Sequence, residues 1–600
     1  MVILRLSRHL CCLCKCNSLS PQIQLVIPKS STSISSTAHF FIQSASCHSD
    51  QDVYAYNVKI AALSRAGKLD AARQLFDEMP KRDVVSWNAM VTAYWQNGYL
   101  DHSKQVFESM PVRNVVSWNS MIAGCVENGR MEEALDYFCS MPERNTASWN
   151  AMISGFIRCG RIEEAGGLFE EMPRRNVISY TAMIDGYAQI GEMERARVLF
   201  DNMPYKNAVS WTVMISAYVE NGRFHEAKEL FDRMPEKGIF AATAMIIGYC
   251  KEGKMDSARI LFEEIQCKDL VSYNVMITGY AQNGNGGEAL KLFTQMLGRC
   301  MKPDHATIVS VLTACSSLSS LKEGQQTHAI ILKMGLDSPS PVPVCNAVVT
   351  MYGKCGSIFD AELAFTHLNN PDVVSWNAII SAFSHHGFYE KTLAYFEEMR
   401  LNGFEPDGMT FLSLLSACGH SGMVGESLYW FDLMTENYRI LPWSEHYACL
   451  VSILSRAGQL LKAYKMIQEM PFEADSCVWG ALLAGCRAHS NAELGQLAAA
   501  KVAEFDPQNA SAYITLSNIY AAAGMWKEVT RVRGLMKEQG VKKQPAYSWM
   551  EIADKVHFFL GGDVSHPNVD KIHSELKLMG LQMKAVGDIA EIFASWSCYN

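Results

Sequence analysis

His573 and Glu575 stand two residues apart, the spacing at which a histidine holds zinc while a glutamate moves protons to a metal-activated water. That chemistry also needs two thiolates from a following Cys-x-x-Cys, and beyond Glu575 the sequence offers Cys598 alone. The pair lies in "VDKIHSELKLMGLQMK", a helical pattern in which it reads as a solvated face. His9, Cys11, Cys14 and Cys16 cluster near the N-terminus, but in a segment with the character of a removable leader, and "CCLC" there lacks a glutamate partner. The other cysteines fall singly, at apolar helical positions such as Cys125, Cys159, Cys315 and Cys355, as reduced core thiols do. With no Gly-rich phosphate loop and no nucleophile triad, the expectation is a protein without catalytic residues, metal or cofactor.

Residues 1–49 contain Arg5, Arg8, Lys15 and Lys29, no acidic residue and many serines, the composition of an organelle transit peptide. On a helix Ile3, Leu6 and Leu10 share one side and Arg5 and Arg8 another, which points to the mitochondrion; a serine-rich chloroplast peptide is the alternative. No run of about 18 apolar residues occurs, so no membrane span is expected. The net charge of −9 becomes more negative once the basic leader is set aside. An indiscriminate nucleic-acid binder would be basic.

Chemistry repeated at a fixed step is another matter. "DVVSWNAM" at Asp83 returns as "NVVSWNSM" at Asn114 and as "DVVSWNAI" at Asp372. Trp87, Trp118, Trp149, Tyr180, Trp211 and Tyr273 lie on one ladder with a step of 31, broken by Ala242. Gly67, Gly98, Gly129 and their successors to Gly284 form a second, and Pro80, Pro111, Pro142, Pro173, Pro204 and Pro235 a third. Within a unit, Trp87, Met90, Val91 and Tyr94 recur at helical spacing, Asn97 and Gly98 break it, and Leu100, Phe107 and Met110 resume it before Pro111. Each unit is therefore a helical hairpin that buries its apolar stripes only against its neighbours, and the fold class is an all-α, right-handed superhelical α-solenoid. From Leu270 to Asp304 the unit lengthens to 35 residues, and "LDSPSPVPV" reads as a loop before the step of 31 returns at Val342.

This mixture of 31- and 35-residue hairpins resembles the plant pentatricopeptide repeat proteins of the subfamily with long and short repeat variants. The resemblance spans roughly residues 53–565 and implies binding of single-stranded organellar RNA, one nucleotide per repeat. In that family the fifth residue of the first helix and the last residue of the unit read the base. The resemblance carries these roles to Asn57 with Asp83, Asn88 with Asn114, Asn119 with Asn145, Asn150 with Asn176, Thr181 with Asn207, Thr243 with Asp269, Asn274 with Asp304, Asn346 with Asp372, and Asn377 with Asp407. Read from the 5′ end, the implied order is U, three pyrimidines and A, with G for Thr243 and Asp269 and U for the next pair. The unit 208–238 departs, pairing Thr212 with Gly238. The last residues also stand where helix N-caps would, for which Asn and Asp are common. Capping does not account for the fifth position, where Ala or Leu would form a better helix.

Arg82, Arg113, Arg144, Arg175, Lys206, Lys237 and Lys268 make a fourth ladder, each just before a unit's last residue, and are expected either to meet phosphates or to be solvated turn charges. The domain reading is a leader at 1–49, the repeat array at 53–475, tetratricopeptide-like E motifs at 476–545 that include Tyr513, Leu516, Tyr520 and Gly524, an E-plus motif at 546–567, and a short tail at 568–600 without a deaminase domain. These extensions resemble those of factors that specify sites of cytidine-to-uridine editing. The implied partners are organellar RNA, a separate cytidine deaminase and other editing-complex proteins. The alternatives are a factor for RNA stability, splicing or translation and, from another class, a peptide-binding scaffold.

Overall fold

The computed structural model describes residues 49–334, 342–541, 547–552, 555–560 and 566–585. The leader, apart from Ser49, lies outside them, as do most of the proline-containing loop and Cys598. The chain divides into two compact units, one ending at Cys355 and one beginning at Gly356.

In the first unit most repeats are built from the same local chemistry. Asp83 is extended, its carboxylate accepts the Ser86 N–H, and the Ser86 hydroxyl accepts the Asp83 N–H, a capping box that starts the helix Val84–Gln96. The same box starts Val115–Glu127, Thr146–Arg158, Val177–Gln189 and Ala208–Glu220 from Asn114, Asn145, Asn176 and Asn207. Gly98, at φ +84, turns the chain into the second helix, Leu100–Glu108. That helix ends before Met110, one step earlier than the apolar spacing predicts. A residue preceding proline is driven out of the α region, and Met141, Met172 and Met234 in equivalent places are extended. These methionines are nonetheless buried, closing the end of each hairpin.

Hairpins are joined by two devices. The second-helix phenylalanine of one repeat meets the first-helix aromatic of the next edge to face: Phe107 with Trp118 at 5.1 Å, Phe138 with Trp149 at 5.0 Å, Phe169 with Tyr180 at 5.1 Å. At the far end of the first helices, Asn221 donates from Nδ2 both to its own Ala217 carbonyl (2.9 Å) and to the Ala188 carbonyl of the preceding repeat (3.1 Å). Successive first helices come so close that a Cβ at Gly155 would lie 2.7 Å from Val126 Cγ2. The longer repeat is explained by its second helix, Gly286–Gly298, which is 13 residues long where Leu100–Glu108 has 9, about one extra turn.

The second unit continues in the same style, with Phe365 against Trp376 at 4.9 Å, through the hairpin Ser444–Arg456 and Leu460–Gln468. The tail then forms the hairpins Ser476–Ala488 with Ala492–Phe505 and Ala510–Ala522 with Trp526–Glu538. Tyr520 is buried there and Gly524 turns the chain, as the tetratricopeptide-like spacing predicts. Among the described residues the one departure from helix is an antiparallel pair, Tyr547–Ile552 with Lys555–Leu560, inside the segment read as E-plus. The array is thus an α-solenoid, as the repeat period requires.

Because Phe138 sits between two repeats and is 3% exposed, Phe138→Ala should cost about 3 kcal/mol. We expect a urea midpoint lowered accordingly, with hydrogen-exchange protection lost first in the helices flanking the gap.

Candidate nucleic-acid interface

The fifth residue of a first helix and the cap of the next first helix, distant in sequence, are neighbours in space. Asn57 Nδ2 donates to Asp83 Oδ1 at 3.4 Å, Asn119 to Asn145 at 3.3 Å, and Asn150 to Asn176 at 3.3 Å. In the longer repeats the contact tightens: Asn274 Nδ2 reaches both oxygens of Asp304 at 3.0 and 3.1 Å, and Asn377 both of Asp407 at 2.9 and 3.0 Å. Asn88 lies at the same helical position opposite the cap Asn114 without such a bond. Asn346 and Asp372 belong to different units.

All the last residues of these pairs prove to be caps, so the capping alternative is correct for them. Capping also fixes their orientation. Asn114 Oδ1 accepts both the Ser117 N–H and the Ser117 hydroxyl, each at 3.0 Å, which leaves Nδ2 as a donor at the surface. Asp83 Oδ1 accepts from the Ser86 N–H and hydroxyl at 2.8 and 2.7 Å, which leaves Oδ2 as an acceptor. An Asn cap therefore presents a donor and an Asp cap an acceptor. Desolvation pushes the Asp83 and Asp304 carboxyls up, but the hydrogen bonds from Ser86 and Asn57, and from Thr307 and Asn274, outweigh it and hold both below the ordinary carboxylate range. Their contribution to stability is present above the unfolded value of about 3.9 and fades only as pH falls through the depressed folded value, so at neutral pH both are acceptors.

Thr181, Thr212 and Thr243 donate their one hydroxyl proton to the carbonyls of Val177, Ala208 and Ile239 at 2.8–2.9 Å, leaving only lone pairs. At Gly238 the capping side chain is absent, and a Cβ there would meet nothing within 4 Å.

A further ladder escaped the sequence reading. Val85, Val116, Ile178, Val209, Val271 and Val374, each two residues after a cap, are 56–61% exposed, and Phe240 is 72% exposed. Apolar side chains left in water at every turn, beside a polar pair, form a surface against which flat rings could lie. The signal was available as an apolar residue on the polar side of each first helix.

The basic ladder has a structural occupation. Arg113 donates from Nε to the Phe107 carbonyl at 3.0 Å and from Nη2 to the Glu108 carbonyl at 2.8 Å, closing the C-terminus of the second helix. Its guanidinium lies 4.9 Å from the Phe107 ring centre, and Arg82, Arg144 and Arg175 repeat the arrangement. Lys206 donates to the Asp201 and Met203 carbonyls and Lys268 to those of Glu263 and Ile265, and Lys237 stands over Phe231 beside Asp232. Elsewhere, cations such as Arg130, Arg195 and Arg223 pair with acids of the preceding repeat. His573 and Glu575 are exposed on the helix Val569–Ala585, as a solvated face would be, and among the described residues no group of three or more His, Cys, Asp or Glu could hold a metal.

A solenoid of helical hairpins in which most repeats carry an oriented polar pair beside an exposed apolar side chain is a modular surface. Models of the pentatricopeptide repeat match residues 54–84, 85–115, 116–146, 147–177, 178–207, 209–239, 240–270, 409–438 and 445–473, with longer matches at 268–317 and 371–420, and the E motif matches 489–551. The chain belongs to the pentatricopeptide repeat family and carries an E motif. Among relatives from Arabidopsis thaliana, the chloroplastic pentatricopeptide repeat-containing protein CRR2 is 39% identical over 50% of this chain and 46% of its own. The mitochondrial protein At3g02330 is 38% identical over 50% of this chain and 33% of its own. The chain thus spans less than half the length of these curated relatives. Of solved structures, the maize protein PPR10 aligns at a TM-score of 0.46 with 18% identity, over 82% of this chain and 85% of that one.

Replacing Arg113, Arg144 and Arg175 together with alanine should lower the melting temperature, because six carbonyl hydrogen bonds and three ring contacts disappear. A differential scanning calorimetry trace unchanged from the parent would refute the capping role.

Proposed function

We propose that the protein is a sequence-specific binder of single-stranded organellar RNA, acting in the mitochondrion, with the alternative site of action in the chloroplast. The observation that carries this reading is the split between caps that present a donor and caps that present an acceptor. Cytosine N3 and adenine N1 are acceptors and suit the Nδ2 of an Asn cap; uracil N3–H and guanine N1–H are donors and suit a carboxylate oxygen of an Asp cap. A threonine at the fifth position is shorter than asparagine and leaves room for a purine. The exposed Val85 ladder supplies apolar surface on either side of each base. Where Gly238 removes the cap group and Phe240 enlarges the apolar surface, the unit accepts any base by stacking.

A chain of net charge −9 draws its affinity from these directed contacts more than from a basic surface. Phosphate contacts fall to the Nη1 edges of Arg82, Arg113, Arg144 and Arg175, whose other donors are held. If they are made, the triple alanine variant also flattens the salt dependence of binding by roughly 0.7 per contact.

The E motif and the hairpin after it support a finer reading, in which the protein specifies sites of cytidine-to-uridine editing and a separate deaminase is recruited by the tail. A role in RNA stability, splicing or translation would use the same array without that recruitment.

Asn207→Asp exchanges a surface donor for an acceptor while the Oδ1 bond to Ser210 is kept. Binding to otherwise identical RNAs should shift at that nucleotide from A toward G by about 1 kcal/mol; an unchanged preference would count against base reading. The purified chain should bind RNA and convert no cytidine, with or without zinc. Truncation after Asp475 should preserve binding and abolish editing in the organelle, whereas normal editing by the truncated form would place recruitment in the array.

A further inference from the structure

The fifth-position asparagines whose pair lies within one unit divide into two sets, and what separates them is the third residue of the following helix. Opposite Asn57, Asn88, Asn119 and Asn150 that residue is serine. The hydroxyls of Ser86, Ser117, Ser148 and Ser179 donate to the cap Oδ1 at 2.7–3.0 Å. The Oδ1 atoms of the four asparagines are buried and have no hydrogen-bond partner. Opposite Asn274 and Asn377 the residue is threonine, and Thr307 and Thr410 each place Oγ1 2.6 Å from the asparagine Oδ1.

The consequence for the amide follows from its bonding. In the threonine set the hydroxyl lies 2.6 Å from the asparagine Oδ1 and 2.8–3.0 Å from the cap Oδ1, so its one proton is shared between two acceptors of which the asparagine oxygen is the nearer, and Nδ2 bridges both carboxylate oxygens; both ends of the amide are held. In the serine set a lone contact at 3.3–3.4 Å, absent at Asn88, is the only tie, and the oxygen is left buried without a donor. The terminal torsion of asparagine is broad and two-fold, so an amide not held at its oxygen can turn and offer either end. Threonine, stiff at χ1, keeps its hydroxyl where both acceptors are in reach.

We propose that this hydroxyl residue is a third determinant of specificity in each unit, a positioning residue acting through the fifth-position asparagine. Thr307 and Thr410 lock the amide and make their units discriminating; Ser86, Ser117, Ser148 and Ser179 leave it free to turn and make theirs tolerant. The inference rests on the base-reading function proposed above.

The test uses the full chain and four synthetic single-stranded RNAs that follow the base order of the pairs and differ only at the nucleotide opposite Asn274 and Asp304. Thr307→Ser should reduce the ratio of best to worst affinity about fivefold, the worth of one hydrogen bond. The melting temperature should stay put, because serine caps equally well at Ser86. The reverse change, Ser117→Thr, should widen the ratio at the nucleotide opposite Asn88 and Asn114, which separates the hydroxyl from the length of the second helix as the cause. A clear preference in the parent that neither variant alters would overturn the inference and leave base reading intact. A parent indifferent to all four RNAs would overturn base reading, and the inference with it.

Discussion

The hydrogen bond from the third helical N–H to the Oδ1 of the preceding cap is the constraint on which the rest turns. It starts most of the first helices by satisfying a backbone donor that would otherwise face no acceptor. It also removes the rotational freedom of the cap side chain, so that the remaining atom of Asn114 or Asp83 is held at the surface before any ligand arrives. Capping and base reading compete as explanations only while the side chain is treated as one group. At Asp83 and Asn114 Oδ1 does the first and the other terminal atom is left for the second. Preorganisation of this kind lowers the ordering cost of binding.

The fold was legible because its period is enforced by contacts between repeats. Trp118 recurs 31 residues after Trp87 since each must meet a phenylalanine, Phe107 or Phe76, at the same place on the neighbouring hairpin. A step that is fixed by packing leaves a trace in composition. The polar pairs were legible through the family resemblance, and the structure brings most of them into contact. Features that depend on side-chain direction were not legible. Nothing in the spelling says that Arg113 folds back on the carbonyls of Phe107 and Glu108, because an arginine before a helix start reads equally well as a free charge. The tail hairpin beginning at Tyr547 lacks the repeat period, and so lacked the signal that announced every helix before it.

The arginine, phenylalanine and tryptophan layers form one connected joint. The Phe107 ring carries Arg113 at 4.9 Å and meets Trp118 edge-on at 5.1 Å, while Arg113 closes the helix from which Phe107 projects. A cation over the ring and an edge-to-face aromatic neighbour are both arrangements that the ring quadrupole favours. The joint fixes the distance between successive caps, and through it the spacing of the groups offered to a ligand. Stability of the array and, under the proposed function, the register of base reading therefore depend on the same residues, although none of them belongs to a proposed reading pair.

The unit ending at Gly238 shows how these roles separate. It has lost the capping side chain, and the helix that follows, Ile239–Lys251, begins without a side-chain bond. That helix also lacks the aromatic of the joint, with Ala242 in its place. Two losses at one junction would weaken it, yet the helix persists with Ala241, Ala242 and Ala244 in its first turns, the residue of highest helix propensity. Intrinsic propensity thus replaces the cap as the source of local order. What propensity cannot replace is the oriented polar atom, so under the proposed base reading the junction keeps its helix but has no hydrogen-bonding group with which to select a base, while Phe240, 72% exposed, presents an apolar surface.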